Sequence, residues 1–189
     1  MSRHEADTCP MEPRPSTTAR LAEIAKSIAF ATAHVSTDER LAWLTPHLAD
    51  VRLALDMDVA FVAEMVHNRR VFRVVSTASR SAAILDPGQS DHLLDTYCMY
   101  VLQGRLPPVI RDMHASSHQA ALLPITERLG IGCYVSAPIV LPDGEKYGTL
   151  CCFSRGTRPE LVDGDGDALR EVARAIGQSL AAQDAAKPH

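Results

Sequence analysis

The sequence predicts an α+β fold: a central antiparallel β-sheet of five to six strands with helices on both faces. Three observations predict it. First, two runs rich in β-branched, aromatic and sulfur side chains, Gly132 to Leu141 and Lys146 to Ser154, flank Asp143-Gly144 and read as a β-hairpin. Glycine tolerates the positive φ that such a tight turn demands. Second, both faces of these runs carry apolar groups, Cys133, Val135, Ala137 and Ile139 on one and Tyr134, Pro138 and Val140 on the other, so the sheet should be covered on both sides. Third, both ends of the chain carry apolar residues at helical spacing.

Taken in order, residues 1–16 form a proline-containing tail without periodicity. Residues 17–35 read as an amphipathic helix with Leu21, Ile24, Ala25, Ile28 and Ala29 on one side. Ser36 and Glu39 match a capping box for a second helix carrying Leu41, Trp43, Leu44, Leu48, Val51 and Leu55. Val59 to Val66 and Val71 to Ser76 read as strands joined by His67-Asn68-Arg69-Arg70. A turn-rich loop at Asp86 to Ser90 precedes a helix from Leu93 to Leu102 that Gly104 ends. Val109-Ile110 is a short extended segment, and Gln119 to Leu129 a helix closed by Gly130. In the last helix, Asp163, Asp165 and Asp167 favour the amino end, and Leu169, Val172, Ala173, Ile176 and Leu180 form the stripe. Residues 184–189 are a frayed end.

Composition bounds the function. A chain of 189 residues, 46% hydrophobic and 22% charged, suits one domain with short appendages. A net charge of -4 and a pI near 6.0 supply no broad attraction for nucleic acid or anionic membranes, so neither is an expected partner. With no run near the roughly 20 apolar residues of a membrane helix and a polar amino terminus, a cytoplasmic location is expected. The five cysteines at 9, 98, 133, 151 and 152 lack framework spacing and read as reduced core thiols. Cys151 and Cys152 point to opposite faces of a strand and cannot share a metal ion.

Other patterns carry less. In a calcium loop beginning at Asp163, Arg174 would stand where a bidentate Glu is required and Ala168 where Gly is, so a helix cap explains the acids better. His114 and His118 lack a third ligand at metalloprotease spacing. Neither a phosphate-cradling Gly-rich loop nor a Gly-x-Ser-x-Gly elbow is present.

The segment Leu93 to Asp112, the helix through Leu129, the Leu129-Gly130-Ile131-Gly132-Cys133-Tyr134 strand start, the Pro142-Asp143-Gly144 turn and Tyr147-Gly148-Thr149-Leu150 together resemble a GAF domain, assigned to residues 36–183. The resemblance implies a small-molecule site between one sheet face and the insertions at residues 77–128. These would supply Tyr97, Cys98, Ile110 and Asp112, the last in a Pro-x-x-Ile-x-Asp pattern at the pocket edge. Residues two apart on a strand share a face, grouping Tyr134 with Ser136 and Leu150 with Cys152 and Ser154. Resemblance to bilin-binding members directs these to the pocket, and Cys133, Val135 and Cys151 to the helix layer. The candidate ligand-binding set is therefore Tyr97, Cys98, Ile110, Asp112, Tyr134, Ser136, Leu150 and Cys152, with no catalytic or metal-ligating residue.

Departures from known subfamilies narrow the ligand. Leu123-Pro124-Ile125-Thr126 stands where bilin-binding members carry Cys or His, so covalent bilin attachment is not expected, and Ser154 to Asp165 lacks the Asn-Lys and Phe of cyclic-nucleotide-binding members. The resemblance implies a non-catalytic sensory or regulatory domain for an unidentified small molecule, with a downstream signalling enzyme as a candidate partner. Two alternatives stand beside it: a GAF-type reductase of free methionine sulfoxide using Cys98 and Cys152, and a ligand-free dimerisation scaffold. A homodimer is expected, built from the stripes of the first and last helices.

Overall fold

The computed structural model describes residues 15–31, 41–78, 85–115 and 124–186. The Ser36–Glu39 capping box, the tail up to residue 14 and the start of the helix expected at Gln119 lie outside them. Six strands, β1 (Val59–Val66), β2 (Arg69–Thr77), β3 (Ser90–His92), β4 (Val109–Ile110), β5 (Cys133–Val140) and β6 (Lys146–Ser154), form one antiparallel sheet in the order β3-β2-β1-β6-β5-β4. The helices are α1 (Thr17–Ala31), α2 (Leu44–Ala54), α3 (Tyr97–Leu102), α4 (Pro124–Leu129) and α5 (Asp163–Ala185).

The alternation along the strands sorts side chains into two cores. On one face α1, α2 and α5 bury Leu21, Leu48, Leu169 and Ile176 against Ala60, Val62, Val135 and Ile139 of the sheet. On the other, α3, α4 and the connecting segments bury Tyr97, Val101, Met113 and Ile125 against Phe61, Phe72, Tyr134 and Phe153. Helices thus lie on both faces. Apolar burial of this extent is the main favourable term in folding.

Two bulges decide which residues face which core. In β2, Val74 pairs with Val62 and Phe72 with Ala63, so Arg73 is the extra residue, and Phe72 and Val74 fall on opposite faces although two apart. In β6, Val140 pairs with Lys146 but Ile139 with Gly148, leaving Tyr147 extra. One inserted residue flips every following side chain. The Asp143-Gly144 turn forms as expected, Gly144 having φ 90° and Asp143 Oδ1 accepting the Glu145 N–H at 2.9 Å.

Several local expectations change. The β1–β2 turn is His67-Asn68 alone, and Arg69 and Arg70 already belong to β2. The end of the turn-rich loop forms the edge strand β3. The helix expected over 93–102 divides into a 3₁₀ turn at Leu93–Asp95 and α3, because Thr96 is extended and its hydroxyl donates to the Leu93 carbonyl at 2.8 Å. At the start of α5, the Asp165 carboxylate accepts the Val162 N–H at 2.9 Å, realising the expected acidic cap.

The first helix packs beside the last one, as expected, and its stripe is already covered within the one chain. Leu21 and Ile28 are fully buried within the one chain, α1 lies alongside α5, and Ser179 Oγ reaches the Ile28 carbonyl at 3.4 Å. The stripes of the first and last helices satisfy each other, so neither needs a symmetry mate.

Candidate functional site

The second core holds an unusual polar centre. Arg70 projects inward from β2 on the same face as Phe72 and is 2% exposed. Its guanidinium lies over the Phe72 ring at 4.4 Å and near that of Phe61 at 5.8 Å. Nη2 pairs with Asp91 Oδ2 on β3, and Nη1 lies 3.9 Å from Cys98 Sγ on α3. The other Asp91 oxygen accepts Arg128 Nη2 of α4 at 3.1 Å. Strand β2, the edge strand β3 and two short helices therefore converge on one buried cation.

Cys98 is the second residue of α3 and fully buried, and it accepts a hydrogen bond from the Thr149 hydroxyl of β6 at 3.1 Å. Burial pushes its pKa up, but a hydrogen bond with the Cys151 thiol, the Arg70 charge and the Thr149 hydroxyl together bring it below the usual thiol range. Cys151 moves the other way: burial, and then its neighbour Cys98, hold it well above that range. The two thiols titrate as a coupled pair, with Cys98 shifted down and Cys151 up. Burial would lower the pKa of Arg70, but Cys98 and Asp91 raise it instead. Burial would likewise raise that of Asp91, but Arg70 and Arg128 lower it. Arg70 thus faces both Asp91 and the Cys98 thiol, and Arg128 shares Asp91 with it.

Tyr134 on β5 meets Tyr97 edge to face, with ring centroids 4.8 Å apart. The Tyr97 hydroxyl shares a hydrogen bond with Thr126 Oγ1, and burial pushes its pKa up to about 12. The Tyr134 hydroxyl has no nitrogen or oxygen partner; burial, followed by the nearby Cys151 and Cys98, raises its pKa well above the ordinary value. Arg70 Nε is likewise buried without a partner. Unsatisfied buried donors cost about 1–3 kcal/mol each, so two beside one thiolate call for an explanation.

Of the residues expected from the sequence, Tyr97, Cys98, Ile110 and Tyr134 share this core. Ser136 lies directly opposite Cys151, on the same sheet face. Asp112 is half-buried, and its Oδ1 accepts the N–H groups of His114 and Ala115 at 2.9 and 3.2 Å, closing a turn at the edge of the compartment. Leu150 and Cys152 are a correction. They belong to the core beneath α1, α2 and α5, and Cys151 takes the face expected for Cys152. The Tyr147 bulge inverts the strand from that point. Arg70, Asp91, Thr149 and Cys151 were missed. Continuing the inward alternation from Phe72 back to Arg70 could have found the arginine, had the turn been read as two residues rather than four.

Among the described residues, no group of three or more His, Cys, Asp or Glu could hold a metal ion, and no helix is long and apolar enough to cross a membrane. The model of the GAF domain family matches residues 39–180, and the chain belongs to that family. The fold is similar to free methionine-R-sulfoxide reductase from Neisseria meningitidis in complex with its substrate, with TM-score 0.68, 15% identity and coverage of 95% of this chain and 99% of that one. It is also similar to a putative GAF sensor protein from Burkholderia vietnamiensis, with TM-score 0.65, 17% identity and coverage of 87% and 95%. A third is the phycocyanobilin-bound GAF domain from a cyanobacterial phytochrome, with TM-score 0.64, 13% identity and coverage of 87% and 93%. At these identities the likeness is one of fold. No match emerges among curated proteins.

Proposed function

We propose that this GAF domain is a non-catalytic sensor whose small-molecule ligand lies between the sheet and the α3–α4 segments. The observation that carries this reading is the pair of buried donors without partners, Arg70 Nε and the Tyr134 hydroxyl, within one largely apolar core. A site of that kind orients its ligand with few polar groups among many apolar ones. Two donors ask for an acceptor-bearing ligand, such as one with a carbonyl or carboxylate oxygen. Tyr97, Cys98, Ile110, Tyr134 and Ser136 line the proposed site, Asp112 shapes its edge, and Leu150 and Cys152 drop out of it. Occupancy would bear on the sheet, whose opposite face supports the paired helices α1 and α5, a route by which a downstream enzyme or a second copy could read the signal. The test is ligand-induced thermal stabilisation: Tyr134→Phe should diminish it while secondary-structure content is kept. An undiminished shift would remove Tyr134 from the site.

The Cys98 thiolate favours a second reading, thiol-dependent reduction of free methionine sulfoxide, with Cys151 rather than Cys152 as the partner thiol. Turnover in a thioredoxin-coupled assay that vanishes in Cys98→Ser would support the enzyme over the sensor.

A further inference from the structure

We propose that Cys98 and Cys151 form a peroxide-reactive dithiol, oxidised by hydrogen peroxide to an intramolecular disulfide and restored by a small thiol reductant. This goes beyond the ligand reading and concerns the ligand-free domain, because the same two donors serve both. Thr149, whose hydroxyl donates to Cys98 Sγ at 3.1 Å, stands two residues from Cys151 on the same face of β6, and both cysteines belong to one core, which places the resolving sulfur near the attacking one. Around Cys98 stand the Arg70 guanidinium at 3.9 Å and the Thr149 hydroxyl at 3.1 Å, a cation and a donor that favour the nucleophilic thiolate. The two unpartnered donors, Arg70 Nε and the Tyr134 hydroxyl, belong to the same cluster and suit the two oxygens of a peroxide. Tyr134 and Asp91 are the other titratable groups facing the pair and Arg70.

The Cys98 thiolate attacks one peroxide oxygen, and the O–O bond breaks. The departing hydroxide takes the Cys151 proton and leaves as water, while Cys98 becomes a sulfenic acid. The Cys151 thiolate then attacks the sulfenic sulfur; the S–O bond breaks, and this second hydroxide takes a proton from solvent. Two thiols and one peroxide give one disulfide and two waters, with two electrons passing from sulfur to oxygen. Both sulfurs are fully buried, so a bulky hydroperoxide should react more slowly than hydrogen peroxide.

The experiment treats the reduced full chain with one equivalent of hydrogen peroxide, counts free thiols and maps the linked peptides. Free thiols should fall from five to three, with Cys98 joined to Cys151, and dithiothreitol should return all five. Cys151→Ser should stop at a sulfenic acid on Cys98 that dimedone captures. Thr149→Val, nearly isosteric, should slow oxidation by about tenfold and move the pH profile of Cys98 alkylation upward. Five thiols remaining, linkage through Cys9, Cys133 or Cys152 instead, or equal peroxide consumption by Cys98→Ser would overturn the proposal.

Discussion

Arg70 on β2 and Cys98 on α3 approach to 3.9 Å across the boundary between sheet and helix, and each alters the ionisation of the other. Removing the cation leaves Cys98 without it and Asp91 with Arg128 alone. Arg70→Met should destabilise the domain by about 3 kcal/mol, because a buried charge that loses its partner is left uncompensated. Urea unfolding of the variant and the parent measures the difference; a change within about 0.5 kcal/mol would show that the pair is not coupled to folding.

The Cys98 thiol also predicts a pH dependence. Its folded pKa is depressed, so its stabilising contribution is full above the unfolded value of about 8.5 and is lost as pH falls through the folded value. Cys151 opposes this: with a raised folded pKa, its contribution is full below about 8.5 and is lost as pH rises further. The melting temperature of the wild type should therefore gain on that of Cys98→Ser as pH rises from mildly acidic toward about 8.5. A difference independent of pH would mean that Cys98 is a neutral thiol.

The two tyrosines should respond differently to loss of the hydroxyl. Tyr97→Phe leaves the buried Thr126 hydroxyl without its Tyr97 partner and should cost about 1–3 kcal/mol. Tyr134→Phe removes a hydroxyl with no nitrogen or oxygen partner and should leave the ligand-free domain about as stable. Equal losses in thermal denaturation would point to an unseen partner for Tyr134.

Deleting residues 1–36 should unfold or severely weaken the monomer. Leu21 and Ile28 are fully buried against the rest of the chain, and at about 2 kcal/mol each their loss approaches 4 kcal/mol before newly exposed α5 surface is counted. Calorimetry with light scattering checks this. A truncated chain of unchanged melting temperature would contradict the packing of α1 on α5.

The sheet, its flanking helices and the turn at Gly144 were legible because each rests on local periodicity or a single turn residue. Facing was less so. Tyr134 and Ser136 fell on the expected face, whereas Leu150 and Cys152 did not, since the intervening bulge at Tyr147 depends on how β5 and β6 pair and leaves no mark in a parity count. Arg70 was hidden for a different reason. A pair of arginines beside His67-Asn68 reads as a solvated turn, and only Asp91, Cys98 and Phe72, scattered along the sequence, make burial of one of them tolerable.

The central claim, a small-molecule site on the Arg70–Tyr134 face of the sheet, is tested most directly by native mass spectrometry of protein purified gently from its source organism. The account predicts a retained species heavier than the bare chain, lost from protein carrying Tyr134→Phe. A bare mass alone, in wild type and variant alike, would contradict it.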